Sequence, residues 1–310
     1  MPVSVALAGD TMLGRSVAQQ LGRRPPQSLV EPELVEIVRD ADLFLLNLEC
    51  CISERGEPAP KRFTFRAPPV AVDTLLHLGV RCVSLANNHA FDYGPQALLD
   101  TLEHLRAGGI AWVGAGTNLE EARAPAIVEG IRIVAFVDHA HETAAGADRP
   151  GIAHADLERG VPDWLLDGAR GALVMPHWGP NMVAEPRPYV RAAAQELREA
   201  GATLVAGHSA HVFHGVEGNA LYDLGDFLDD YAVDRELRND LGLLFLVELE
   251  HDRLRRIEAV PLRLDFCHTR LARGDDAAWV RRRFRDACAA LGTEVREENE
   301  RLVVGPIIDL

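Results

Sequence analysis

Short branched apolar runs alternate with amphipathic stretches through the first two-thirds of this chain, and that rhythm leaves few folds open. The runs are residues 3–8, 43–48, 80–85, 110–113, 131–137, 172–175 and 203–206. Between them, residues 70–78, 95–107 and 188–200 repeat their apolar positions at helical spacing. In the last of these, Val190, Ala193, Ala194, Leu197 and Ala200 form one stripe, as on a helix lying against a core. Strands that alternate with helices predict an α/β layered fold. After residue 210 the pattern changes: 212–216, 220–224, 243–250 and 254–264 read as antiparallel strands, the last two joined at His251-Asp252. A helix over 275–291 follows, and its Arg281-Arg282-Arg283 run reads as a solvated face. The weakest point for a boundary is 140–159, rich in Ala, Gly, His and Asp.

With 310 residues, 47% of them hydrophobic, the chain can bury a sizeable core. No apolar run approaches the ~20 residues of a membrane helix. The start, Met1-Pro2-Val3-Ser4-Val5, has neither a basic region nor a small-residue cleavage site, so a cytoplasmic protein is expected. A net charge of −15, spread along the chain, disfavours nucleic acid and anionic lipid as partners. An anionic substrate would need a local cation, from a metal or an arginine. The five cysteines, Cys50, Cys51, Cys82, Cys267 and Cys288, show no C-x-x-C spacing, so they predict buried thiols rather than a disulfide framework or a zinc site.

The polar residues that stand out share one position: each follows a predicted strand. Asp10 ends the first, Glu49 the second, and Asn87, Asn88 and His89 the third. His177 follows the 172–175 run, and His208 and His211 follow 203–206. In open α/β sheets, ligands bind beyond the carboxyl ends of the strands. Any one of these residues has an ordinary structural role, Asp10 as a helix cap for example. Five strands delivering Asp, Glu, Asn and His to the same end predict a single pocket.

Here a resemblance becomes specific. Ala8-Gly9-Asp10, Asn47-Leu48-Glu49, Ala86-Asn87-Asn88-His89 with Asp92-Tyr93-Gly94, His177-Trp178-Gly179 and Gly207-His208-Ser209-Ala210-His211 resemble the ordered motifs of the CapA family. Phe65-Arg66-Ala67, Gly114-Ala115-Gly116 and Tyr222-Asp223-Leu224-Gly225-Asp226-Phe227 are similar to further segments of it. That family is named for poly-γ-glutamate capsule synthesis and is related to the calcineurin-like metallophosphoesterases. The resemblance implies a four-layer αββα sandwich of the metallo-dependent phosphatase type over residues 3–264, with 265–310 as a C-terminal helical extension packed on it. It also implies one or two divalent ions, Mn, Fe or Zn, a donor set that suits mixed oxygen and imidazole ligands. Carried over by position, Glu49 would bridge, Asn88, His177 and His208 would hold one metal, and Asp10 and His211 the other. His89, paired with Asp92, would be a general acid or a phosphate contact.

The chain departs from the calcineurin-like first motif, Asp-x-His: it reads Asp10-Thr11-Met12, one imidazole short. That leaves open a metal-free pocket in which Asp10, His89 and His211 act as acid and base. The implied function is a CapA-like metal-dependent hydrolase, a phosphoesterase. The alternatives are acid–base chemistry on a peptide or poly-glutamate-like amide (hydrolysis, ligation or epimerisation) and a non-catalytic accessory role in capsule polymer synthesis. The expected substrate is small and anionic or peptide-like. Asn87, Trp178 with Asn181 and Met182, and Arg66 of the charged loop 54–69 are expected to contact it, Arg66 by a bidentate fork. His139, His141 and His154 fall in the middle loop, and His214 is expected to pack in a strand.

Overall fold

A computed structural model of the chain describes residues 2–250 and 253–305. It is a mixed α/β protein with two main sheets. In the ten-stranded sheet, Val3–Thr11, Leu43–Leu48, Val80–Ser84 and Ala111–Val113 lie side by side and parallel. On the other side of Val3–Thr11 the sheet turns antiparallel, through Leu241–Glu250, Arg253–Asp265, Arg301–Gly305 and Glu294–Glu298. The six-stranded sheet has Ile131–Val137, Ala172–His177 and Leu204–Ala206 parallel at its centre.

Alternation along the strands explains where the cores form. Successive side chains leave a strand on opposite faces. Val5, Leu7, Leu43 and Leu45 of the first sheet therefore meet Ile133, Leu173, Met175 and Leu204 of the second in one apolar core. Their neighbours Ala6, Ala8, Phe44 and Leu46 face the other way, onto Val17, Leu34, Val38, Leu75 and Leu98. On the far face of the second sheet, Val134, Phe136, Val174 and Val205 pack on Leu165, Val190, Ala194 and Leu197. A strand buried on both faces needs no polar alternation, which is why these runs are continuously apolar.

The expected helices are present as Ala71–Leu78, Gly94–Ala107, Pro188–Glu199 and Gly274–Ala289. Four expectations change. The strand expected over 212–216 survives only as Val216–Glu217, because 208–214 forms a loop in which Ser209 and His211 have φ of 123° and 60°. His214 is accordingly buried in that loop and not in a strand, its Nε2 bonded to the Val183 carbonyl at 2.9 Å. The second strand, over 220–224, is shortened to Ala220–Leu221. Beyond residue 264 the chain supplies more than a helix: His268–Leu271, Glu294–Glu298 and Arg301–Gly305 hydrogen-bond into the larger sheet. The turn expected at His251-Asp252 lies outside the described residues, although the strands flanking it pair antiparallel. All five cysteines are free and buried.

Candidate metal centre

The parallel strands of both sheets end at one place, and the polar residues that follow them converge there. Asp10 is the penultimate residue of its strand, next to Asn47 on one side and Asp226 on the other. Gly9 makes this possible: a Cβ there would lie 1.9 Å from the Gly225 carbonyl, so only glycine lets the two segments approach. From the second sheet, His177 and His208 face each other as an isolated parallel pair.

Asp10 is the hub. Its Oδ1 accepts from Asn47 Nδ2 at 2.7 Å and lies 3.7 Å from His208 Nδ1 and 3.9 Å from His177 Nδ1. Its Oδ2 lies 3.2 Å from His211 Nδ1, which is 2.8 Å from Asp226 Oδ1. The donor atoms of Asp10, His177 and His208 thus form one group able to hold a cation, and those of Asp10, His211 and Asp226 form a second. His177 Nδ1 and His208 Nδ1 are 2.7 Å apart, and His177 Nε2 is 2.9 Å from Asn88 Oδ1. Glu49 Oε1 is 3.9 Å from His177 Nε2, while its Oε2 accepts from the Tyr231 hydroxyl at 3.0 Å. The carboxylate lying between the two imidazole groups is Asp10, with Glu49 beside them.

His89 lies at the rim. Its Nδ1 is 2.7 Å from Asp92 Oδ2, and its ring stacks on Phe65 with centroids 3.9 Å apart. Asp92 also accepts from the Phe65 amide at 2.6 Å and pairs with Lys61, whose Nζ donates to the Asn88 carbonyl at 2.6 Å.

Burial sets the electrostatics. Desolvation, then the charge of Asp10, pushes Glu49 up to about 8. Desolvation raises Asp226 well above the carboxylate range and Asp223, next to Asp10, to about 8. Asp10 resists: desolvation would raise it, but the hydrogen bond and charge of His211, with His208 and Asn47, hold it low. His211 is desolvated too, yet the charges of Asp226 and Glu49 outweigh this and raise it well above the usual imidazole range. Desolvation lowers His89, His177 and, to about 4, His208, so these rings are neutral. Four buried carboxyl groups thus crowd around His211, the one imidazole of the group pushed toward its charged form, and the raised carboxyls are those that a cation would return to their ionised state. His208 Nε2 and Asp226 Oδ2 are also buried without a hydrogen-bond partner, which is costly unless something binds them. The donor set and its orphaned atoms fit a divalent cation.

Asp10, Glu49, Asn88, His89, Asp92, His177, His208 and His211 are therefore brought together. Three residues expected at the substrate are placed elsewhere. Asn87 is buried and spends its amide on structure: Nδ2 donates to Asn47 Oδ1 and the Leu48 carbonyl, and Oδ1 accepts from the amides of His89 and Ala90. Trp178 follows His177 and so points to the opposite face, where it packs edge-on to Phe136 and donates to the Tyr222 carbonyl at 2.9 Å. Arg66 lies over the Tyr93 ring, 4.2 Å from its centroid, and binds the carbonyls of Arg55 and Gly56. The loop cation that reaches the site is Lys61. Asn181 does stand at the site, its Nδ2 3.1 Å from His211 Nε2, and His139 packs 5.2 Å from the His177 ring.

Sequence reasoning gave no role to Asn47, Asp226 or Tyr231. Asp223 belongs with them: it accepts from the amides of Ala210 and Gly225, each at 2.8 Å, and clamps the loop that carries His211 in its left-handed conformation. The signal for the two aspartates was the segment Tyr222 to Phe227, in which Asp223 precedes a short strand by three residues and Asp226 begins it.

Comparison with known proteins agrees with this arrangement of motifs. The family described as "Bacterial capsule synthesis protein PGA_cap" matches residues 4–231. A probable polyglutamine synthesis accessory protein of Mycobacterium tuberculosis is 31% identical over 339 residues, 90% of this chain and 89% of that one. The PGA biosynthesis protein CapA of Bacillus subtilis is 30% identical over 246 residues, 74% of this chain and 63% of that one. The capsule biosynthesis protein CapA of Bacillus anthracis is 27% identical over 253 residues, 74% of this chain and 60% of that one. With its family match covering most of its length, and relatives that carry the CapA name, the chain belongs to the bacterial capsule synthesis family PGA_cap, the CapA family.

Proposed function

We propose that this chain is a CapA-like metal-dependent hydrolase of the phosphoesterase type, acting on a small anionic substrate. The observation that carries the reading is the hub role of Asp10, whose two oxygens each face a separate cation-competent group, with unpartnered buried atoms in both. His177 and His208, flanked by Asn88 and Glu49, would hold one ion with Asp10. His211 and Asp226 would hold the other, Asp226 standing in for the imidazole missing from the first motif. Mn, Fe or Zn suits these donors. A divalent cation held there supplies Lewis acidity toward a phosphoryl oxygen.

The chain's own residues supply the rest. Asp92 holds the His89 Nδ1 proton, so Nε2 is the atom left to contact a phosphoryl oxygen or to move a proton. Lys61 brings a positive charge to the same rim and fixes Asp92. A αββα sandwich over residues 3–264, with 265–305 packed on it, is the architecture this reading uses. It is supported by three apolar cores, one between the sheets and one on each outer face.

A second reading rests on the printed names of the relatives, which tie them to polyglutamine or PGA synthesis. In it, the same pocket acts on, or only binds, a peptide-like glutamate polymer as an accessory of capsule synthesis. Elemental analysis of protein purified without added metal, followed by p-nitrophenyl phosphate hydrolysis with and without Mn, separates the two. About one or two equivalents of metal are expected, with activity lost on chelation and restored by Mn. Metal-free protein that gains no phosphatase activity with Mn would transfer the case to the second reading.

A further inference from the structure

A second carboxylate–imidazole pair stands against the metal centre, and it obeys the same rule of position. Asp138 and His139 come directly after Ile131–Val137, a strand that runs parallel to Ala172–His177 with Val137 opposite His177. The Asp138 amide donates to the His177 carbonyl at 3.1 Å, and the His139 ring lies 5.2 Å from the His177 ring. Both Asp138 oxygens are committed. Oδ1 lies 2.5 Å from His139 Nδ1, and Oδ2 accepts from the Gly179 amide at 3.0 Å and the Tyr189 hydroxyl at 3.1 Å. Ala140, the next residue, holds a left-handed φ of 61°, a conformation that persists only where its surroundings enforce it.

An ionised carboxylate can only accept, so the pair puts an imidazole proton on Nδ1 and leaves Nε2 as an acceptor. The Asp138 side chain is 6% exposed, whereas that of His139 is 37% exposed. A ring tied at Nδ1 to a buried group turns its opposite edge, which carries Nε2, toward open space. His139 lines a cavity of about 830 Å³, the size of a small-molecule site. Asn181 lines the same cavity and lies 3.1 Å from His211 Nε2, so cavity and metal centre meet along His139 and Asn181. Arg187 brings donors to the walls, and Asp156 and Glu158 bring acceptors. Walls that both donate and accept suit hydroxyl groups, which do the same.

We propose that this cavity holds the alcohol part of the substrate, and that His139 selects a hydroxyl-bearing one by accepting a hydrogen bond at Nε2. The substrate class is then a polyol phosphate rather than an aryl or alkyl phosphate. This selection rests on the metal centre taking the phosphoryl group, as proposed above. Asp138 is a positioning residue, which fixes the ring through Nδ1.

Two phosphonates that cannot be hydrolysed test it, butylphosphonate and 3,4-dihydroxybutylphosphonate, which differ only in two hydroxyls. Each is titrated calorimetrically into the full-length protein in buffer containing Mn. The wild type is expected to bind the dihydroxy compound at least about fivefold more tightly, the worth of one hydrogen bond. His139→Leu should bring the two affinities to within about twofold of each other, with metal content intact. His139→Gln, whose carbonyl oxygen reaches the place of Nε2, should restore most of the preference. A ring that only supported the fold would leave the ratio of the two affinities unchanged. Equal binding of the two by the wild type, binding of neither, or a preference that survives in His139→Leu would overturn the proposal. Hydrolysis of p-nitrophenyl phosphate decides the phosphoesterase reading separately: a hydroxyl preference without any hydrolysis would end that reading and leave the subsite in place.

Discussion

Asp10 and Asp226 lie opposite each other on parallel strands, and His211 sits between them, 3.2 Å from one and 2.8 Å from the other. Two buried carboxylates sharing one imidazole form half of the proposed metal centre. Asp226→Asn keeps the shape and removes the charge. We expect the metal content to drop by one equivalent and kcat/KM to fall by about 10- to 100-fold or more, read by elemental analysis and steady-state kinetics. Unchanged metal content would remove Asp226 from the ligand set.

Asp92 joins His89, Lys61 and the Phe65 amide. Asp92→Asn frees the His89 tautomer, so activity should fall by roughly 10²- to 10⁴-fold. The loss should appear in kcat, with metal content intact. A variant that loses metal in step with activity would place Asp92 in the metal centre instead.

Trp178 is core, not pocket. Trp178→Ala should cost about 3–5 kcal/mol of stability, measured by urea unfolding, and leave KM unchanged at temperatures where the variant is folded. A large rise in KM with little loss of stability would return it to the substrate.

Metal binding should stabilise the fold, because its ligands come from strands of both sheets. At a hundredfold excess over Kd the gain is about 2.7 kcal/mol, a rise of about 4 °C in melting temperature for a chain of this size. Mn titration followed by thermal melting tests this. His208→Ala should abolish most of the shift, and a full shift in that variant would locate the ion elsewhere.

His214 gives a pH dependence separable from the metal centre. Burial pushes it down to about 4, against an ordinary 6.5. Between those values the unfolded chain takes up the proton and the native chain does not. Native stability is therefore retained above about 6.5 and lost as pH falls toward 4, on the order of 3 kcal/mol across the window. His214→Gln should flatten that part of the stability curve, measured by urea unfolding at pH 7, 6, 5 and 4.5. A slope equal to that of the wild type would show that His214 takes no part.

The gathering of Asp10, Glu49, Asn88, His177, His208 and His211 was legible because parallel strands end on one side, whatever their spacing along the chain. The side-chain directions were less so. His177 and Trp178 are neighbours, and strand alternation sends one to the metal centre and the other to the outer core. Asn87 and Asn88 are equally alike on paper, but a tight turn buries the first and half-exposes the second. Lys61 and Arg66 share one loop, and only its folded path decides which cation reaches Asp92. Asp226 escaped because its strand, Asp226–Leu228, is too short to show any period. Arg283 looked solvated because its neighbours are, and aromatic rings brought from residues 213 and 279 cover it.

The central position of Val3–Thr11 bears on how the protein is made. That strand is made long before its partners on one side: this edge is closed by Leu241–Glu250, with Val3 opposite Leu249, and at its end by Asp226–Leu228. Until most of the chain has been synthesised, a long apolar strand edge stays open to other nascent chains. Fragments ending before residue 241 should therefore precipitate, and expression of this protein should depend on chaperones that shield its first strand.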